Sequence, residues 1–161
     1  VMGARAHKDA DAFRKEADAY LELFDDLDRL LATRGEFLLG RWIEDAKRWG
    51  SDDAERALLE WNARTQVTLW GPPDGVLHDY AQKQWAGLVK GFYRPRWEQF
   101  LAQLEHTLRD GRQFDVKAFT EHLQQWEDAW THRTDPHPSA PSGNPVEVSL
   151  ELWEKYHAEA S

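Results

Sequence analysis

The sequence predicts an all-α fold, an antiparallel helical bundle of about six or seven helices. Three observations carry that expectation. Apolar residues recur at steps of three or four almost throughout the 161 residues, the period of a helix face. The one stretch rich in β-branched residues, Thr65-Gln-Val-Thr-Leu-Trp70, has no second alternating run to pair with. Residues that start and stop helices punctuate the periodic runs.

The elements follow in chain order. Residues 9–33 place Phe13, Ala17, Leu21, Phe24, Leu27 and Leu31 on one seam, as a helix facing a partner would. Residues 36–49 put Leu39, Trp42, Ala46 and Trp49 on one stripe, and Gly50 supplies a stop. Asp52 and Glu55 have the spacing of a capping box, so a third helix starts there and turns Ala54, Leu58, Trp61 and Thr65 to the core. It reads as helix through Trp70, where Gly71-Pro72-Pro73 ends it: glycine takes a left-handed cap and proline has no N–H to continue the ladder.

A fourth helix is predicted over residues 77–92, with Leu77, Ala81, Trp85, Leu88 and Phe92 as its stripe. Pro95 suits the first turn of a fifth, which carries Trp97, Leu101, Leu104 and Leu108 and breaks at Asp110-Gly111. Asp115 caps a sixth with Phe119, Leu123, Trp126 and Trp130 in phase. Residues 131–145 hold four of the seven prolines and no large apolar side chain, which predicts a surface loop or tether. A short last helix over residues 148–157 presents Leu150, Trp153 and Tyr156. With no internal repeat, the 161 residues read as a single helical domain.

Composition excludes several classes. Twenty Lys+Arg against 29 Asp+Glu give a net charge of -9, which argues against a nucleic-acid partner. No cysteine means no disulfide framework and no thiolate metal site. No apolar run approaches the roughly 18 residues of a membrane span, and residues 1–8 lack the apolar core of a signal peptide. Tryptophan is in excess, nine against seven Phe and four Tyr. Trp42, Trp49, Trp61, Trp85, Trp97, Trp126, Trp130 and Trp153 fall on apolar stripes and are expected to pack in the core or between domains. Trp70 stands apart at a helix end.

Few residues have the spacing of a reaction centre. Glu154 and His157 form one Glu-x-x-His pair, but a di-iron bundle needs two such pairs and two further glutamates. They read as a solvated face, His132 and His137 as surface histidines, and neither metal nor cofactor is expected. There is no Gly-x-Ser-x-Gly, no nucleophilic cysteine and no glycine-rich phosphate loop. The paired acids Asp25-Asp26 and Asp52-Asp53 read as charged helix faces. Asn62, Gln66 and Trp70 recur at steps of four, a face suited to hydrogen bonding and stacking on a sugar ring, or equally to helix packing through amides. Arg64 is rotated about 200° from Asn62, onto the packed side, where it needs a carboxylate or carbonyl partner. Asp79 and Lys83 have the spacing of a surface ion pair on a helix. Gly87 and Gly91, four apart in the fourth helix, would let another helix approach closely.

Three blocks in order carry a resemblance. They are Asn62-Ala-Arg-Thr-Gln-Val-Thr-Leu-Trp-Gly-Pro72, Leu77-His-Asp-Tyr-Ala-Gln-Lys-Gln-Trp-Ala-Gly-Leu88 and Phe92-Tyr-Arg-Pro-Arg-Trp97. With the preceding Phe37-Leu-Leu-Gly-Arg-Trp42-Ile-Glu-Asp-Ala46, the chain resembles the C-terminal helical domain of the α-N-acetylglucosaminidases, glycoside hydrolase family 89, most densely over residues 37–101. The resemblance implies part of an exo-acting, retaining hydrolase that removes terminal α-linked N-acetylglucosamine from glycans. It implies two catalytic glutamates in an upstream (β/α)8 barrel of the same polypeptide, on which this domain packs and whose cleft it helps wall. No strand–helix barrel pattern occurs here, so the domain alone is expected to be inactive, a piece of a larger multidomain enzyme.

The positions that coincide with the family pattern include Asn62, Arg64, Trp70, Gly71, Asp79, Tyr80, Lys83, Tyr93, Arg94, Arg96 and Trp97. Candidates for the cleft or the barrel interface are Asn62, Gln66, Trp70, Asp79, Tyr80 and Lys83, with Asn62, Trp70 and Tyr80 foremost. Arg64, Gly71, Arg96 and Trp97 take structural roles. The expected partners are the barrel and a glycan ending in N-acetylglucosamine, with no nucleic acid and no membrane. The chain has no Asn-x-Ser/Thr acceptor, and the expected setting is a secreted or periplasmic bacterial enzyme. The alternative is an independent helical module that binds carbohydrate or protein.

Overall fold

Capping chemistry and apolar phase together set the helix boundaries. The computed structural model describes residues 10–159; the expected helix start at residue 9 and the leader reading of residues 1–8 lie outside them. The described residues form six α-helices: α1 (Ala10–Leu31), α2 (Leu39–Lys47), α3 (Asp53–Val67), α4 (Arg94–Asp110), α5 (Val116–Thr131) and α6 (Pro145–Glu159). The fold is all-α, with no strand among the described residues. Asp52 caps α3 by accepting from the Glu55 N–H at 2.9 Å, while Glu55 reaches one residue past the cap to the Ser51 N–H at 2.8 Å. Asp115 caps α5 in the same way, through the Ala118 N–H at 2.9 Å. Gly111 ends α4 with φ +66°, a left-handed conformation that costs other residues about 1–2 kcal/mol.

Ion pairs fix the helix directions. Asp11 with Arg109, Arg14 with Glu105, and Asp25 with Arg94 run in opposite order along α1 and α4, so the two are antiparallel. Lys155 with Glu22 and Glu151 with Arg29 set α6 antiparallel to α1. Lys47 with Glu60, and the Trp42 indole N–H on the Ala63 carbonyl, do the same for α2 and α3. Two buried clusters result. Phe13, Ala17 and Leu21 of α1 meet Leu101 and Leu104 of α4. Leu39, Ile43, Val67, Leu88, Phe92 and Trp130 form the other.

Three expectations are corrected. First, residues 77–92 are not one helix. Residues 71–87 form turns and an extended segment, and helical structure begins only at Leu88. Tertiary bonds hold this segment open. Ala86 pairs with the chain before α2, giving to the Phe37 carbonyl at 2.8 Å and accepting from the Leu39 N–H at 3.0 Å. Asp28 of α1 accepts from the N–H groups of Gly87 and Lys90, at 2.7 and 3.0 Å, and so caps the next helix from a distance. Gly87, at φ +87°, is a turn residue rather than part of a helix groove.

Second, residues 131–145 do not hang free as a tether. A Cβ on Gly40 would lie 2.3 Å from the His137 carbonyl oxygen and 2.5 Å from that of Pro138, so this segment sits directly on the α2 backbone. Third, His137 is not a surface histidine. Its side chain is 10% exposed, it lies against Trp130 and Gly87, and its Nε2 is 3.4 Å from Arg64. A guanidinium only donates, so in that contact the nitrogen is the acceptor. Burial and the Arg64 charge both push its pKa down.

A widened turn, Val89–Tyr93, leads into α4 and has a local cause. Pro95 has no N–H for the Gly91 carbonyl, and its ring would crowd that oxygen in a regular helix. The chain opens to a longer spacing, with the Arg94 N–H reaching the Val89 carbonyl. The Gly91 carbonyl instead accepts from the Trp130 indole at 2.8 Å, which satisfies a ring only 1% exposed.

Candidate functional site

The site is built on the end of α3 and the loop that follows. Arg64 points inward and is fully buried. It donates to Glu60 at 3.1 Å and to the Asp135 carbonyl at 2.8 Å, and its guanidinium lies 5.1 Å from the Trp130 ring centre. The opposite side of α3 carries Asn62 and Gln66, both exposed. The helix stops at Val67, one turn earlier than the sequence suggests, because the Thr68 and Trp70 N–H groups both fold back to the Thr65 carbonyl. Trp70 follows in the left-handed region at φ +63°. That backbone is costly for a bulky residue, and such strain concentrates at functional sites.

Trp70 is 44% exposed and Tyr80 63% exposed, and their ring centres are 5.1 Å apart at 48°. The two rings thus form one exposed aromatic surface. The loop between them is tied down. The Asp79 N–H donates to the Thr68 carbonyl at 2.9 Å, and Asp79 accepts from Arg96 at 2.7 Å. Arg96 also reaches Glu127 at 2.7 Å and lies over the Phe92 ring. Every non-glycine residue with positive φ among the described residues, Trp70, Asp79 and Gln82, falls in this segment.

Trp70 also lines a surface groove of about 890 Å³ with Trp42, Trp49, Trp61, Asn62 and Gln66. The Trp42 and Trp61 indole N–H groups are taken up internally, by the Ala63 carbonyl and the Thr131 hydroxyl, which leaves their rings to face the groove. Trp49 is 85% exposed. The two stripes that carry Trp42 with Trp49 and Trp61, expected to pack in the core or between domains, open to the surface of this domain, whereas Trp130 is in the core and Trp85 and Trp126 pack against it.

The structure brings Asn62, Gln66 and Trp70 to one groove, with Tyr80 on the Trp70 ring. It does not pair Asp79 with Lys83. Asp79 turns to Arg96, and exposed Lys83 lies over the Trp85 ring, because the helix that would have spaced the pair is absent. Gly71 meets open space. Trp97 packs edge-on against Tyr20 and Phe100. Sequence reasoning missed His78 and Glu127, which contact each other at 3.4 Å. Glu127 did leave a signal: it is an acid in phase with Leu123 and Trp130 on the apolar face of α5. Among the described residues no group of three or more histidines or carboxylates could hold a metal ion, and no helix is long and apolar enough to cross a membrane.

Comparisons with known proteins show the family of the chain. Residues 1–155 match the α-N-acetylglucosaminidase (NAGLU) C-terminal domain family. The human α-N-acetylglucosaminidase is 40% identical over 136 residues, 84% of this chain and 18% of that protein. A family 89 glycoside hydrolase from Clostridium perfringens, solved with 2-acetamido-1,2-dideoxynojirmycin, superposes with a TM-score of 0.81 at 33% identity, over 96% of this chain and 18% of that one. The Clostridium perfringens enzyme in complex with its substrate GlcNAc-α-1,4-galactose gives a TM-score of 0.80 at 33% identity, covering 95% and 18%. The chain thus spans about one fifth of the length of these relatives. By the extent of the family match and the agreement of the fold, the chain belongs to the C-terminal domain family of the glycoside hydrolase family 89 α-N-acetylglucosaminidases.

Proposed function

We propose that this domain walls the substrate cleft of an exo-acting α-N-acetylglucosaminidase. It packs on an upstream (β/α)8 barrel that carries the catalytic carboxylates, and Trp70 with Tyr80 is the part that meets the glycan. The observation that carries the reading is the exposed ring pair held on a strained, bundle-anchored loop. A pyranose presents apolar C–H faces, and exposed aromatic rings stack on them. The substrate bound in the similar clostridial structure, an α-linked N-acetylglucosamine disaccharide, supports that ligand class. The neighbouring tryptophan groove, with Asn62 and Gln66 at its edge, is the surface on which the barrel would rest. Exposed tryptophans gathered along one groove are what a contact face offers a partner.

The test uses an enzyme in which this domain is joined to its barrel. Trp70→Ala should raise KM for a chromogenic α-N-acetylglucosaminide about tenfold, with the melting temperature unchanged. An unchanged KM would overturn the cleft-wall reading. The 161-residue chain alone should release no chromophore; turnover by it would overturn the placement of catalysis in the barrel. Calorimetric heat with N-acetylglucosamine oligosaccharides at micromolar strength, about -8 kcal/mol, would favour the independent module instead.

A further inference from the structure

We infer that Glu127 is a positioning residue for the aromatic wall, and that it holds the 70–82 loop through one proton shared with His78. The inference rests on the reading of Trp70 and Tyr80 as part of the cleft, and deepens it. Nothing in that reading uses His78 or Glu127.

The geometry counts the protons. Nε2 of His78 lies 3.1 Å from the Pro73 carbonyl oxygen. A carbonyl only accepts, so Nε2 carries a hydrogen. The other ring nitrogen, Nδ1, faces Oε2 of Glu127 at 3.4 Å. Two states make that contact attractive. Either an imidazolium faces a carboxylate, or a neutral ring accepts from a protonated carboxyl. Both place a single proton between the two groups. Remove it, and the Nδ1 lone pair faces a negative charge. Add a second, and two hydrogens oppose each other. The link is therefore made within one band of pH and broken on either side.

The charged surroundings agree with one shared proton. Nε of Arg96 of α4 lies 2.7 Å from Oε1 of Glu127 as an ion pair, and its Nη1 donates to Asp79 in the loop at 2.7 Å. Tyr93 of the widened turn is near enough to feel both Asp79 and Arg96, and burial pushes its phenol up to about 12, so it stays neutral. With one proton on the His78–Glu127 pair, the cluster of Arg96, Asp79, His78 and Glu127 is neutral in either state. Losing that proton leaves an unmatched negative charge at Glu127, whose side chain is 3% exposed. Burial pushes the Glu127 carboxyl up, while Arg96 and His78 draw it back.

Placement turns this link into control of the wall. His78 and Asp79 immediately precede Tyr80 in the loop, whereas Arg96 and Glu127 belong to helices of the bundle. The cluster is the bolt between the ring that meets solvent and the scaffold behind it.

The test compares wild type, Glu127→Gln, Glu127→Ala and Trp70→Ala in the enzyme that joins this domain to its barrel. A glutamine amide gives its N–H to Nδ1 and accepts from Arg96, so Glu127→Gln keeps the link without a titrating carboxyl. Hydrogen exchange of residues 71–82 is read as protection relative to intrinsic rates, from about pH 4 to about pH 9. Wild type should show a maximum and lose protection about tenfold on the alkaline side, where Glu127→Gln stays flat. Glu127→Ala should lack the maximum and raise KM about tenfold, with kcat within about twofold. If Glu127→Gln follows the wild-type curve, the proton lies elsewhere and the inference is overturned. It is equally overturned if Glu127→Ala keeps wild-type protection at every pH. Should Glu127→Ala fail to fold, the glutamine curve alone decides. If the exchange results hold while Trp70→Ala leaves KM unchanged, the bolt stands and the cleft-wall reading falls.

Discussion

Replacing Arg64 by methionine tests how much of this fold depends on one buried cation. Methionine keeps the stem volume, so the loss is mainly of charge and hydrogen bonds. The guanidinium is fully buried and serves four partners: Glu60, the Asp135 carbonyl, His137 Nε2 and the Trp130 ring. Removing one member of a buried pair costs roughly 3–5 kcal/mol, because the other charge is left unmatched. Glu60 retains Lys47 at 2.7 Å, which holds the expectation at the low end, about 3 kcal/mol. For a chain of this length that corresponds to a melting temperature lower by about 10 °C. Urea titration of the 161-residue chain, followed by tryptophan fluorescence, measures it directly. Arg64→Met/Glu60→Gln should cost less than the sum of the single changes, since the second removes the charge the first leaves alone. A loss below about 1 kcal/mol for Arg64→Met, or strict additivity in the double variant, would refute the reasoning.

Gly40→Ala should destabilise by about 2 kcal/mol even though alanine favours a helix, because its Cβ would strike two backbone carbonyls. Proteolysis of residues 133–141 should rise with it, and unchanged stability would show that the segment does not dock there. Asp52→Ala should cost about 1 kcal/mol through loss of the α3 cap, read by the same urea titration. Docking of α6 on α1 should fail in acid. Burial pushes the Asp26 carboxyl up, but hydrogen bonds from Lys155 and Tyr156 outweigh it and hold it below its ordinary value of 3.8. Since the folded-state value is the lower one, the contribution is complete above 3.8 and is lost as pH falls through the lowered value. Hydrogen exchange of α6 across that range should show the loss, and Asp26→Asn should show it at neutral pH already.

What the sequence reveals depends on how local the cause is. Asp52, Asp115 and Gly111 act on their own helix ends, so α3, α4 and α5 could be read before any contact was known. The 77–92 stripe misled because its spacing is real but its backbone answers to distant groups: Asp28 on Gly87, Arg96 on Asp79, Phe37 on Ala86. Only φ +87° at Gly87 had a local trace, in the choice of glycine itself. The site was half legible. Asn62, Gln66 and Trp70 could be grouped by spacing, although Trp70 joins them from a turn rather than from the helix. His78 and Glu127 are 49 positions apart, and no short-range pattern joins them. Trp42, Trp61 and Trp130 do lie on the helices that periodicity marks, whereas Trp85 belongs to the extended segment and Trp49 lies past the end of α2. Periodicity reports an apolar face but not which molecule covers it, so Trp42, Trp49 and Trp61 could not be told from Trp130.

The widened turn at Val89–Tyr93 has a bearing on how this lineage can change length. A helix advances about 100° per residue, so a turn that holds one residue more than its neighbours works as a phase adjuster between what comes before and what comes after. Shortening it by one residue would keep α4 intact but swing Leu88 and the whole 71–87 segment around the α4 axis. The Trp70–Tyr80 surface would then aim in another direction. The bend at residues 71–76 carries no such phase and ends in exposed Val76, so insertions and deletions there change the size of a surface excursion and its Pro73–His78 contact but leave the helix directions in place. Tolerance to length change should therefore differ sharply between two stretches fewer than twenty residues apart, with Pro95 as the residue that makes the second one intolerant.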